Sequence, residues 1–232
     1  MQLIEVTELA GVRSAVIVMK RRGSPMRFVL FPMLHVGEQH FYEAVAARVR
    51  SCQIVVTEGV IGDSSRADAI TRIYRWIRFS RRHDLVVQDV DYDALGVPSV
   101  RPDMTAAEFD RRWGEIPLRA RLLIYFLVPL FALYLLMFSD RRFLARHLEL
   151  DLELSDAELS TSELIDAMEE VIVDQRDRLL MRALVSIHEE RHTEPIDVAV
   201  VWGAGHMRAV VRGLKALGYQ PCGTDWLTVF RF

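Results

Sequence analysis

Cysteine is scarce in this chain. Cys52 and Cys222 are the only two in 232 residues, too few for a disulfide framework and without metal-finger spacing. Both stand beside apolar residues, so both are expected as buried free thiols. The first residues, Met1-Gln-Leu-Ile-Glu-Val-Thr-Glu8, carry acids where a signal peptide has a basic segment and an apolar core. The expectation is therefore a cytoplasmic protein, possible membrane association aside, with no cleaved signal. Basic blocks are also missing, and the formal charge is only −3, so nucleic acid is not an expected partner. No Gly-x-Ser-x-Gly elbow occurs, which removes the serine hydrolases built on it. A haem attachment motif is absent too, leaving haem binding through His35 or His206 with little behind it. With no fixed-period repeat and no low-complexity linker, residues 1–232 read as one domain.

What the chain does have is apolar residues, 51% of the total, enough for a full core. Their pattern alternates short β-branched runs with helical spacing. Ser14–Lys20 reads as a strand, Arg21-Arg-Gly-Ser-Pro25 as a turn, and Arg27–Met33 as a second strand paired with the first. Phe41, Val45 and Val49 recur at i, i+4 and i+8 and predict a helix over Glu38–Arg50. Gln53–Thr57 is the next strand, and the β–α–β order across Arg27–Thr57 predicts parallel pairing. Further along, Ile61–His83 has helical spacing and Leu85–Asp89 reads as another parallel strand. Thr105 is placed to cap a short helix, and a long helix is predicted from Thr161 or Ser162 to about His192. Val198–Trp202 is strand-like, a helix follows His206 and stops at Gly218, and Trp226–Phe232 alternates with period 2. The expected fold is α/β, with a mixed, largely parallel central sheet flanked by helices.

Ionisable residues sit where these strands end. His35 follows one, Glu58 another and His206 a third, while Asp89 and Asp91 follow a fourth. In open α/β sheets the carboxyl ends of the strands face a crevice. An unpaired ionisable group inside a strand would cost several kcal/mol. Two imidazoles and a carboxylate suit Zn, Mn or Fe with positions left for water. Without metal, the same trio supplies a general base and its orienting partner. His40, on the first turn of the helix after His35, and Asp91 are second-tier ligands. His147, His188 and His192 read as solvated helix residues.

These residues resemble the motifs of the TraB/PrgY family, related to the TIKI proteins. The C-terminal Gly-x-x-His stands as Gly203-Ala-Gly-His206, the glutamate as Glu58 in Val-Val-Thr-Glu, and the helix pair as Arg176-Asp177. The N-terminal motif departs, with Pro32 where the family has glycine before His35. The resemblance runs from about Phe28 to Tyr219. It implies a metal-dependent hydrolase, a peptidase in the TIKI proteins. His35, Glu58 and His206 would then hold a divalent Mn, Co, Zn or Fe ion that activates water. Arg176 would stabilise an oxyanion or fix Glu58 or an aspartate by pairing with it. The rival expectation is a non-catalytic, membrane-associated protein that sequesters a peptide or small ligand in the same crevice.

One stretch stands apart. Leu122–Phe138 reads LLIYFLVPLFALYLLMF, uncharged throughout, inside a helical insertion expected at about 116–147. As a helix it would span about 25 Å, short of a bilayer core of roughly 30 Å. Pro129 would kink it at its centre. Residues 118–138 are thus expected to touch a membrane, form a homodimer contact or fill the core.

Overall fold

The structure, a computed structural model, describes residues 1–59, 84–118, 121–122, 130, 141–143, 145 and 173–232. Its frame is a seven-stranded mixed sheet. β1 (Ile4–Thr7), β2 (Gly11–Arg21) and β3 (Arg27–Met33) run antiparallel in succession. A two-stranded ribbon, β4 (Val36–Gly37) with β6 (Val86–Val87), lies outside that sheet. Helix α1 (Gln39–Val49) leads to β5 (Ile54–Thr57), which pairs in parallel with β7 (Ser99–Val100). After α2 (Ala106–Glu115) and α3 (Gln175–Arg191) comes β8 (Asp197–Gly203). Helix α4 (Met207–Ala216) and β9 (Tyr219–Phe230) close the chain, β9 lying antiparallel along β2.

β8 positions everything that follows. It runs parallel to β3 from Arg27↔Asp197 to Met33↔Gly203, and parallel to β5 from Ile54↔Val198 to Thr57↔Val201. Val198–Trp202 are all buried, as a strand covered on both faces requires of a continuous apolar run. Each such side chain contributes about 1.5–3 kcal/mol on leaving water. The register is fixed at its outer end by Arg27, whose Nε and Nη2 each donate to Asp197 at 2.6 Å.

The expected α/β class, with its largely parallel sheet flanked by helices, is the architecture observed. Three local expectations are corrected. The β3–α1–β5 unit is parallel, but β8 fills the place between its two strands. Leu85–Asp89 does not join the parallel set: only Val86–Val87 are extended, and they pair antiparallel with Val36–Gly37. Ser99–Val100 takes the outer parallel position instead. Cys222, expected inside, is exposed on β9, while Cys52 is buried as expected.

Other elements follow their sequence signals. Thr105 caps α2, its hydroxyl accepting the Glu108 N–H at 3.2 Å. Phe41, Val45 and Val49 form the inner face of α1, and Val210 and Leu214 that of α4. Gly218 stops α4 at φ 86°, a conformation open to glycine at little cost. Pro32 has no N–H, and the β2–β3 ladder ends at Ile17↔Leu30. The Ser14 hydroxyl donates to the Pro32 carbonyl at 2.6 Å instead. His188, read as solvated, is buried on α3. Arg21 Nη1 lies 2.7 Å from its Nε2 and the Tyr219 hydroxyl 3.0 Å from its Nδ1. Because arginine only donates, Nε2 accepts and Nδ1–H donates to Tyr219, so this imidazole is neutral.

The helix expected over Ile61–His83, the start of the long helix, and most of the insertion at 116–147 lie outside the described residues. So does most of the stretch 118–138 expected at a membrane or dimer contact. Among the described residues no helix is long and apolar enough to cross a membrane. Leu118, Leu122 and Leu130 are exposed.

Candidate functional site

The site gathers at the carboxyl ends of β5 and β8, where β5 ends at Thr57, paired with Val201, and β8 runs on beside β3 to Gly203. Glu58 comes first after β5. Its Oε2 accepts the Gly203 N–H at 2.7 Å and its Oε1 the Arg176 Nη2–H at 2.8 Å. That close approach depends on residue 203 being glycine, because a Cβ there would stand 3.2 Å from Oε2.

Arg176, in the first turn of α3, is held from its other side by Asp103 in the loop before α2. Nε donates to Oδ1 at 2.9 Å and Nη2 to Oδ2 at 2.6 Å, a two-point fork. The Asp103 side chain is fully buried and also accepts the N–H groups of Gly59 at 3.0 Å and Met104 at 2.8 Å. Gly59 sits at φ 150°, a backbone conformation that favours glycine. One guanidinium thus bridges two carboxylates from two loops, with only 12% of its side chain exposed.

His206 ends the short 3-10 turn Ala204–His206 and opens α4. Its Nδ1 lies 2.7 Å from Asp177 Oδ1. A carboxylate only accepts, so Nδ1 carries the proton and Nε2 is the free basic nitrogen of the neutral ring. Nε2 faces Glu58 Oε1 across 3.8 Å, too far for a direct hydrogen bond. Beneath both lies Trp202. Its ring meets the His206 ring edge-on at 5.3 Å, and the Arg176 guanidinium lies 5.3 Å from its centroid.

Charge follows from this packing. Burial alone would push the Glu58 carboxyl up, but Arg176, His206, His35 and the Gly203 N–H together hold it below the usual carboxylate range. Asp103 behaves alike: burial raises it, and the Arg176 fork with two backbone N–H groups brings it down. Burial works against the Arg176 cation, yet its two carboxylate partners raise its proton affinity above the ordinary value. Tyr92 is pushed up by burial, and the charge of Glu58 adds to that.

Of the residues singled out from sequence, Glu58, Arg176 and His206 come together, and His35 is close enough for its charge to act on Glu58. His35 itself is exposed, its carbonyl accepting the Gln88 N–H at 2.9 Å. The second-tier residues are engaged elsewhere. His40 is exposed and pairs with Glu38 at 3.2 Å. Asp91 Oδ1 accepts the N–H groups of Asp93 and Ala94 at 3.1 and 3.2 Å, holding a turn. Two site residues had no role assigned. Asp177 was visible only as the second half of Arg176-Asp177. Asp103 lies in Arg101-Pro-Asp-Met-Thr105, which reads simply as a loop.

The metal expected on His35, Glu58 and His206 meets a site that already carries a cation: Arg176 pairs with Glu58 and Asp103, and both Glu58 oxygens accept hydrogen bonds, whereas His206 keeps Nε2 free. Among the described residues no group of three or more His, Cys, Asp or Glu is placed to hold a metal ion.

Comparison with known proteins redirects the functional reading. The family model described as UDP-glucoronosyl and UDP-glucosyl transferase matches residues 124–222. No curated protein and no solved structure matches the chain. The matched stretch contains Arg176, Asp177 and Gly203–His206, which, with Glu58 and His35 outside it, suggested the TraB/PrgY family. The match therefore corrects that resemblance, and with it the reading as a metal-dependent peptidase. It lends no support to the non-catalytic, sequestering alternative either. The motifs misled because they are short: a glycine turn followed by histidine arises wherever a buried strand hands over to a helix. A small-molecule substrate, expected for the crevice, agrees with the matched family.

Proposed function

We propose that this site transfers a glycosyl group from a UDP-sugar to the hydroxyl of a small acceptor, with His206 as the general base. The observation that carries the reading is the 2.7 Å contact between His206 and Asp177 inside the matched stretch. An acceptor O–H placed beside Nε2 gives up its proton as its oxygen bonds to the anomeric carbon. The bond from that carbon to the diphosphate breaks, and UDP leaves with the electron pair. Asp177 stays ionised and stabilises the imidazolium, as the orienting acid of a catalytic dyad does.

Glu58 is not the nucleophile in this scheme, because Arg176 and the Gly203 N–H engage both its oxygens. A single displacement with inversion at the anomeric carbon follows. The cluster holds three carboxylates and one guanidinium: Arg176 pairs with Glu58 and Asp103, and Asp177 pairs with His206. That balance repels a diphosphate, so the cluster serves the acceptor end of the reaction.

The test is UDP release from UDP-glucose and UDP-glucuronic acid against a panel of phenolic and aliphatic alcohols. His206→Ala serves as the control. Release by the wild type, lost in the variant, supports transfer. No release above the variant's background, together with no UDP-sugar binding by ligand-observed NMR, would overturn it.

A further inference from the structure

We propose that Trp202 is the positioning residue of this site, holding the His206 ring off Glu58 so that Nε2 stays available to a substrate hydroxyl. The proposal rests on His206 acting as the base. His206 Nε2 and Glu58 Oε1 stand 3.8 Å apart, beyond direct hydrogen-bond reach. Asp177 fixes only Nδ1 of the ring, at 2.7 Å. One hydrogen bond leaves the imidazole free to swing about the line of that bond. The missing constraint is the indole, whose plane stands at 88° to the imidazole with centroids 5.3 Å apart, the edge-to-face arrangement aromatic pairs prefer.

The same ring also lies 5.3 Å from the Arg176 guanidinium carbon, within cation–π reach. Arg176 binds Glu58 Oε1, the very oxygen that Nε2 faces. Trp202 therefore packs against His206 on one side of the gap and against Arg176, the partner of Glu58, on the other. The indole is wholly buried, and its Nε1–H has no hydrogen-bond partner among the described residues. A phenylalanine would avoid that cost but would fill less of the space between the two charged groups.

The contact gives a readout that does not need turnover. A protonated imidazole against an indole quenches its fluorescence, so emission from Trp202 reports the charge on His206. The chain has four tryptophans, and variants assign the signal. In the wild type, emission should fall in one step as the pH is lowered. That step should vanish in Trp202→Phe and in His206→Gln. Trp202→Phe should also lower kcat about tenfold with KM changed less than twofold, whereas Trp202→Leu should lower it further. An emission step of unchanged size in Trp202→Phe would overturn the contact. Unchanged kcat and pH profile in a folded Trp202→Leu variant would overturn the positioning role. If UDP release fails altogether while the emission step behaves as described, the transfer reading is wrong and the Trp202–His206 contact stands without a catalytic role.

Discussion

Gly203 and Glu58 meet closely at the mouth of the sheet: the N–H of one donates to Oε2 of the other at 2.7 Å. A Cβ on residue 203 would come within 3.2 Å of that oxygen and 3.5 Å of His206 Cδ2. The backbone there, at φ −50° and ψ 141°, suits any residue, so a side chain at 203 is limited by the space beside the Glu58 carboxylate and not by conformation.

Gly203→Ala therefore separates activity from stability. Alanine reduces the freedom of the unfolded chain, worth about 0.4–1 kcal/mol, and this offsets the cost of displacing the Glu58 carboxylate by a few tenths of an ångström. Urea midpoints should change by less than about 1 kcal/mol in free-energy equivalent. Turnover should fall about tenfold, the scale of a 1.4 kcal/mol loss in the transition state. Parallel urea and UDP-release measurements on the same preparation check both.

Removing Arg176 has the opposite profile. Arg176→Met leaves Glu58 and the fully buried Asp103 as uncompensated charges, a loss of about 3–5 kcal/mol. Adding Asp103→Asn to that variant removes one of the stranded charges and should recover part of the loss. Arg176→Lys keeps the cation but not the fork that spans both Asp103 oxygens, and should fall in between. Chemical denaturation of the four proteins gives the ranking.

How far the sequence revealed this site depends on how local each signal is. Strand ends were legible because β3, β5 and β8 are short apolar runs followed at once by His35, Glu58 and a glycine turn. Periodicity placed α1 and α4 for the same reason. Asp103 was invisible because its role comes from Arg176, 73 residues away, and a loop aspartate carries no mark of such a partner. His188 misled in the other direction. Glu189, Glu190 and Arg191 follow it on the helix, yet it shares the buried face of Leu184 and Ile187 and meets Arg21 on β2 and Tyr219 on β9. The parallel set was misread at Leu85–Asp89 because a short β-branched run does not say which edge it will join. The family resemblance failed at the level of motifs, which fixed where the ionisable groups lie but not what reaction they serve.

Two acid-sensitive windows follow from the shifted groups. His188 is lowered by burial first, then by Arg21 and His192. The unfolded chain then takes up that proton before the folded one does. Stability from this group is full above about pH 6.5 and is lost as pH falls below it. Glu58 and Asp103 are also lowered, so their contribution is full above about pH 4 and is lost as pH falls through their folded values. Urea unfolding across pH 3 to 8 should show two descents. His188→Gln should flatten the upper descent and leave the lower, whereas Asp103→Asn should weaken the lower and leave the upper.

The dyad itself gives the sharpest kinetic expectation. His206→Ala removes the base and should lower kcat by about 10²–10⁴-fold. Asp177→Asn leaves the imidazole in place but takes away the carboxylate 2.7 Å from Nδ1. An asparagine can present its amide N–H to Nδ1, which turns the ring to the tautomer protonated on Nε2 and so removes the base from the substrate side. Asp177→Asn should therefore approach His206→Ala in kcat despite an intact histidine, and the double variant should lose little more than either alone, because the two act as one unit. Asp177→Glu keeps the acceptor and should recover part of the activity. Single-turnover kinetics of the four proteins, with folding checked by urea midpoint, test the coupling. Multiplicative losses in the double variant would show that His206 and Asp177 act independently, and the dyad reading would fall.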